Sequence, residues 1–548
     1  MSEITVFPAR RVLTMNPSNP TATAVAVREG HIVEAGSLDS MGPWLEKHPH
    51  RIDDRFAEQV ILPGLIDPHL HPSMAAVLLP MDFITGLEWR LPWETVKPVA
   101  GKEQFLARLG ELHRSKPDAD TPLFTWGYHP HWHGRIDRAD VNNVSATRPI
   151  VVWHRSFHEV VLNDTALAWL DIDESGLEGA HQIDVARGRF FETGLSFAIA
   201  RMNPYLLSPE RFREGLARFA KVAHFGGHTT IGDMATGIFS LRLEWESLCA
   251  VLDQPSVPFR VELVPHLGKL GREAWNESNA LAYVGGLRER NTAKLRFSDH
   301  VKLFADGAFF SQLAQMSPPG YIDGHHGEWM TTPEVLKTQA RTFWNAGYKI
   351  HIHTTGDLGL ELVLEILETL QWERPRFNHG FTIEHFGFSQ PEQIERLAAL
   401  GASVSANVYY LHELSDTYAR EGIGVERAHT MARIGSCVRA GIRTAIHSDF
   451  TMAPALPLHN AWVAATRMNH TGEVVGPEER LSVDAALRAV TIDAAHILGR
   501  ANEVGSLRAG KRADFAVVDA DPHEVGADGL RDLKVRATVF EGAVHEID

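Results

Sequence analysis

Two histidines one residue apart close a short apolar run, Ile61-Leu62-Pro63-Gly64-Leu65-Ile66-Asp67-Pro68-His69-Leu70-His71-Pro72. Strand side chains alternate between faces, so positions i and i+2 point the same way. His69 and His71 can therefore aim two imidazoles at one point just beyond a buried strand. That is how a chain offers two nitrogen ligands to one metal ion. A bare His-x-His pair is a weak motif, and two unrelated polar residues at a strand exit explain it more simply. What the rest of the chain places nearby decides between the two readings.

The elements that must position the pair follow from patterning. Short β-like runs open the chain, and others close it at residues 513–518 and 534–540. They predict a small β-sandwich built from both termini, residues 1–60 and 500–548, since chain ends often lie close together. Between them, apolar runs alternate with helical patterns. Ser208-Pro209-Glu210 starts a helix with a cap, a first-turn proline and an early acid, and Gly226-Gly227 ends it. After the run ending at His69, strand candidates fall at 229–234, 259–266, 300–304, 348–353, 381–385, 402–408 and 443–447. Eight strands alternating with helices predict an α/β fold, a closed (β/α)8 TIM barrel over residues 61–499. The stretch from His71 to Thr229 is far longer than one βα unit and is rich in tryptophan and histidine. It reads as a large insertion, within 72–228, capping the barrel mouth.

Active sites of such barrels lie at the C-terminal ends of the strands. Five predicted strand ends carry ionisable groups: His69 and His71; Lys302; His351 and His353; Glu384 and His385; and His447 with Asp449. Convergence on one rim turns the weak pair into part of a distributed site. Asp449 suits a general base and acid, taking a proton from an activated water and returning it to a leaving group. A metal ion lowers the pKa of such a water and polarises a scissile carbonyl. His351 shares a strand face with His353 and suits either substrate contact or packing.

Composition narrows the classes. The chain has 548 residues, 44% of them hydrophobic and 22% charged, with a formal net charge of -16. That charge argues against nucleic-acid or anionic-membrane partners. Cys249 and Cys437 are the only cysteines, which excludes a disulfide framework and disfavours thiolate zinc. The N-terminus lacks the basic start and apolar run of a signal peptide, so a cytoplasmic protein is expected.

Taken together, Leu62-Pro63-Gly64-Leu65-Ile66-Asp67-Pro68-His69-Leu70-His71, Lys302-Leu303-Phe304-Ala305-Asp306-Gly307, His353-Thr354-Thr355-Gly356-Asp357, Ile383-Glu384-His385, His447-Ser448-Asp449 and Gly505-Ser506-Leu507-Arg508-Ala509-Gly510-Lys511-Arg512-Ala513-Asp514 resemble the amidohydrolase superfamily. Within it the chain resembles the branch containing N-substituted formamide deformylase, often called YtcJ-like (amidohydrolase family 3). The resemblance implies a metal-dependent hydrolase of carbon–nitrogen bonds other than peptide bonds. It implies His69 and His71 at a first metal position, His353 and His385 at a second, and Asp449 beside them. It also implies that Lys302 can be carbamylated to bridge two ions; as an ammonium it has no lone pair to coordinate. An ion pair of Lys302 with Asp306 or another acid is the plain alternative. The cofactor expected is Zn2+, one or two ions, or another divalent metal.

The partner expected is a small-molecule amide, with no nucleic acid and no membrane, and a homodimer stays open. Trp126, His133, His158 and Glu192 are candidates for substrate contact from the insertion, although packing or a solvated surface explains each equally well. His129-Pro130-His131-Trp132-His133 reads as a pocket wall rather than a metal cluster. Phe309 follows Lys302 closely enough to line the pocket and hints at an apolar or aromatic acyl group. Rival functions are a deaminase, an ester or cyclic-amide hydrolase on the same barrel, or a non-catalytic binding protein, since fold does not fix function.

Overall fold

The computed structural model describes residues 2–118, 120–173, 175, 177, 182–191, 193–267 and 276–547. The chain forms two compact units, one of residues Met1–His71 with Ala223–Asp548, the other Pro72–Val222.

In the first unit, both termini build one eight-stranded sheet. Strand Val60–Pro63 lies between Ile4–Leu13 and Phe515–Val518, so the N- and C-terminal segments share a ladder. The strands expected to form a sandwich thus hydrogen-bond into a single sheet. Its edge curls back: Ile32 N donates to Lys511 O at 2.8 Å, and Gly510 N donates to Ile32 O at 2.8 Å. Alternation does the sorting. Phe7, Val25, Val27, Phe515 and Val539 fill a core on one face, while Val6, Ala24 and Ala26 meet Met41 and Leu45 of the helix Leu38–Leu45 on the other.

The apolar run at the head of the first motif is two strands, not one. Val60–Pro63 belongs to the terminal sheet and Leu65–Leu70 to the barrel-type layer. Gly64 separates them where a Cβ would fall 2.0 Å from Thr229 Oγ1, so only glycine lets the backbone pass.

Eight strands follow in chain order: β1 (Leu65–Leu70), β2 (His228–Thr236), β3 (Arg260–Pro265), β4 (His300–Phe304), β5 (Lys349–Thr354), β6 (Thr382–His385), β7 (Ser403–Ala406) and β8 (Thr444–Ile446). All ladders between them are parallel. The expected closed ring is corrected in one respect. β1–β3 plus the short strand Leu295–Phe297 form a four-stranded sheet, and β4–β8 form a five-stranded one.

Among the described residues no ladder joins β8 to β1 or Leu295–Phe297 to β4. Pro68 has no N–H to give and β8 is only three residues long, so a ladder there has little to work with. Loop bonds span the seam instead: Asp449 N donates to His69 O (2.9 Å), His71 N to Phe450 O (3.0 Å) and Ser448 N to Asp67 Oδ2 (3.0 Å). At the other seam Ser298 Oγ donates to Glu262 Oε2 at 2.7 Å.

Strand parity divides core from site. Val301, Leu303, Ile350, Ile352, Ile383 and Val404 join a large core with Leu336, Phe343, Leu360, Val363, Leu367 and Ile394 of the intervening helices. The alternate positions carry Lys302, His351, His353, Glu384 and Ser405. A buried ion pair fastens β3 to the terminal sheet: Arg260 donates to Asp514, to Glu541 Oε1 at 3.2 Å and to Thr230 Oγ1 at 3.0 Å.

The second unit carries a six-stranded mixed sheet, with Leu123–Tyr128 and Ile150–His154 parallel at its centre. Its core joins Phe105, Leu109, Tyr128, Val141, Ile150 and Val152. No helix among the described residues is long and apolar enough to cross a membrane.

Candidate metal centre

The strand ends of β1, β4, β5, β6 and β8 bring their ionisable side chains together. His71 Nε2 lies 3.0 Å from Asp449 Oδ1, His69 Nε2 3.6 Å from the same oxygen, and His385 Nδ1 3.7 Å from Asp449 Oδ2. The His69 ring centroid is 5.2 Å from that of His71, 4.7 Å from His385 and 4.4 Å from His447. The His353 ring stands 4.3 Å from His385. Lys302 Nζ is 3.4 Å from His69 Nε2.

Two triplets can each close on a single ion: His69, His71 and Asp449, and His69, His385 and His447. The structure thus brings together all six residues anticipated as ligands (His69, His71, Lys302, His353, His385 and Asp449).

Backbone strain falls at two of the candidate ligands. His385 (φ 73°) and Asp449 (φ 51°) both adopt left-handed conformations. Such a conformation costs about 1–2 kcal/mol for a non-glycine residue, so the surrounding bonds must hold it.

Electrostatics suit metal ligation. Burial holds the His69 and His385 imidazoles well below the usual histidine range, with the Lys302 charge adding to it. Burial likewise lowers His353 to about 3 and His447 to about 4. Neutral imidazoles are what a metal needs. Lys302 is pushed down to about 8 by burial, against the attraction of Glu384 and Asp449. Burial would raise Glu384, but the bond from His351 and the Lys302 charge outweigh it and hold the carboxylate at about 2.

The donor set passes a simple test of fit. His353 Nε2, His385 Nδ1 and His447 Nε2 are buried with no hydrogen-bond partner among the described residues. Buried polar atoms without partners are rare and costly. Three buried, orphaned imidazole nitrogens, with His385 Nδ1 3.7 Å from Asp449 Oδ2, fit a zinc-type divalent ion.

Lys302 does not pair with Asp306; the acids whose charge acts on it are Glu384 and Asp449. Asp306 instead accepts the N–H groups of Gln315 (2.9 Å), Thr355 (2.9 Å) and Gly356 (2.8 Å), binding together the loops after β4 and β5. His351 is a buried link, with Nδ1 2.6 Å from Glu384 Oε1.

Sequence reasoning gave no role to Glu384, His447 or Asp67. Asp67 accepts the N–H of His69 (3.1 Å) and that of Ser448 across the seam. The signal for Glu384 and Asp67 was available, since a carboxylate inside an otherwise apolar strand asks for a partner.

Of the remaining candidates, Phe309 belongs to the first unit and Trp126, His133 and His158 to the second. Phe309 is enclosed in an aromatic stack, 4.4 Å from Tyr410 and 4.6 Å from Tyr418, so its ring is packing rather than lining. Trp126 packs against Phe83 and Trp89 with the Arg155 guanidinium 4.7 Å over its ring. His133 is buried against Phe105, and its Nδ1 accepts the His129 N–H at 3.0 Å; the His129–His133 run is a capped turn of helix. His158 is half-buried, and Glu192 lies outside the described residues.

Known proteins are similar to this chain. The chain is 28% identical to N-substituted formamide deformylase of Arthrobacter pascens over 245 residues, 44% of this chain and 45% of that protein. It is 24% identical to the amidohydrolase YtcJ of Bacillus subtilis, a putative one by its description, over 97% of each chain. A metal-dependent hydrolase of Pyrococcus horikoshii superposes with a TM-score of 0.74 at 20% identity, over 96% of this chain and 99% of that one. A sequence model of the amidohydrolase family matches residues 57–545. The chain therefore belongs to the amidohydrolase family, a family of hydrolases.

Proposed function

We propose that this chain is a metal-dependent hydrolase that cleaves the C–N bond of an amide or N-substituted formamide. The observation that carries the reading is the cluster of imidazoles at Asp449, with His71 Nε2 at 3.0 Å, His69 Nε2 at 3.6 Å and the orphaned His385 Nδ1 at 3.7 Å from its carboxylate. His69, His71, His385 and Asp449 would hold the ion or ions, with His447 added on geometry and His353 on the resemblance. When bound, a zinc-type ion acidifies a water and polarises the scissile carbonyl.

The residues do the rest. The Asp449 carboxylate, fixed by its left-handed backbone and the bond from Asp449 N to His69 O, takes the proton of the attacking water and delivers it to the departing nitrogen. Lys302 is within reach of the neutral amine form at neutral pH. Its nitrogen attacks carbon dioxide, an N–C bond forms, one proton leaves, and the resulting carbamate offers two oxygens to the site. The enclosing imidazoles and the buried Glu384 exclude bulk water from one side of the carboxylate.

The test is a panel of N-formyl amines, N-acyl amino acids, esters and lactams, run with the protein as purified, after chelation and after zinc is returned. Turnover of amides or formamides that disappears on chelation and returns with zinc is the expected result. Hydrolysis of esters alone, or full activity in the stripped protein, contradicts it.

A further inference from the structure

A line of hydrogen-bonded polar side chains crosses the interior of the strands. His300 Nδ1 lies 2.7 Å from His351 Nε2, His351 Nδ1 lies 2.6 Å from Glu384 Oε1, and Glu384 Oε2 lies 2.7 Å from His69 Nδ1. The four residues come from β4, β5, β6 and β1, and all are buried. Barrel interiors are ordinarily packed with branched apolar side chains. A buried polar network is costly unless each member is satisfied, so a line of four here asks for a reason.

Bond direction supplies it. An ionised carboxylate only accepts, so both imidazoles that meet Glu384 must donate to it. A neutral imidazole carries one ring proton. Placing that proton on Nδ1 of His69 leaves the lone pair on Nε2, the nitrogen that faces Asp449 Oδ1 at 3.6 Å and Lys302 Nζ at 3.4 Å. Placing it on Nδ1 of His351 leaves Nε2 as an acceptor, so His300 Nδ1 donates to His351. Each tautomer along the line follows from the single acid at its centre. His447 Nδ1 stands 3.6 Å from the same Glu384 oxygen and is satisfied by Ser405 Oγ at 2.8 Å, so it is not a link.

We propose that Glu384 is the positioning residue of the metal centre: it fixes the ligating tautomer and ring orientation of His69, and His351 and His300 hold Glu384 in place. This rests on the reading of the cluster as a metal site. Carboxylates placed behind a metal-bound histidine in this way strengthen the ligand, and their loss weakens binding by about 10- to 100-fold.

Metal affinity, not turnover, tests the inference. Stripped wild type and Glu384→Gln are titrated with Zn2+ against a chromophoric chelator, and the cobalt-loaded forms are compared by visible absorption. Glutamine keeps the volume but meets one imidazole proton with its own N–H. The expected result is zinc affinity weaker by about 10- to 100-fold with an altered cobalt spectrum, while far-UV circular dichroism is unchanged. Unchanged zinc affinity and an unchanged cobalt spectrum overturn the proposal. If Glu384→Gln does not fold, His351→Leu carries the test. It removes the other donor, and a zinc affinity equal to wild type again overturns the proposal. Wild type that takes up no zinc removes the metal reading itself, a result distinct from the failure of Glu384 alone.

Discussion

His71 Nε2 and Asp449 Oδ1 stand 3.0 Å apart although they leave the first and the last strands of the eight. The contact closes the seam that no strand ladder closes, and it does so with two groups fit for metal chemistry. If Asp449 moves the proton in the reaction, Asp449→Asn lowers kcat/KM by about 10²- to 10⁴-fold on any substrate the wild type turns over. The thermal midpoint stays near that of wild type. Steady-state kinetics with a melting curve checks this, and a variant within tenfold of wild type contradicts the assignment.

Lys302 offers a chemical signature of its own. Protein equilibrated with 13C-bicarbonate is expected to show a carbamate carbon resonance that vanishes in Lys302→Ala. Activity of that variant falls with the signal. A spectrum without the resonance, in active wild-type protein, leaves Lys302 an ordinary amine.

Much of this was readable in the chain. All eight strands were anticipated, because apolar runs bounded by helical patterns leave few alternatives, and Ser208-Pro209 set the start of the helix Pro209–Phe225. The break at Gly64 was not readable: a continuous apolar run does not say which sheet each half joins. Nor was ring closure, which hangs on Pro68 and on the brevity of β8. His69, His71, Lys302, His353, His385 and Asp449 could be named because the strand ends offer them and the resemblance to the amidohydrolase superfamily singles them out. Glu384 and His447 were quoted in motifs but given no role, since their partners come from distant segments that only the fold brings near. Phe309 was misplaced because proximity in sequence to Lys302 does not fix the direction of a ring in the following loop.

The ion pair between Arg260 and Asp514 links β3 to the terminal sheet in full burial. Removing Asp514 leaves the buried Arg260 with only the partly exposed Glu541 as counter-charge, so Asp514→Ala is expected to destabilise by up to about 3–5 kcal/mol. Replacing both by apolar residues of similar volume costs much less. Chemical denaturation of the single and double variants checks the order, and a single variant as stable as the double contradicts it.

His228 predicts an acid sensitivity away from the metal centre. Its Nδ1 donates to Ala223 O at 2.7 Å, and burial lowers its pKa to about 4. The unfolded chain binds this proton below about pH 6.5 while the folded chain resists it until about pH 4. Stability from this residue is therefore complete above about pH 6.5 and is lost as pH falls toward 4, at a limiting slope of about 1.4 kcal/mol per pH unit. Denaturation midpoints at pH 7 and pH 5 are expected to differ less in His228→Gln than in wild type. An identical pH dependence in the two proteins counts against it.

The central claim is that the strand ends hold a metal centre, and anomalous diffraction from zinc-loaded crystals above and below the zinc edge tests it most directly. The account predicts one or two anomalous peaks about 2.0–2.3 Å from ligand atoms of His69, His71, His353, His385 and Asp449. Crystals that redissolve to fully active protein yet show no anomalous density at this cluster contradict it.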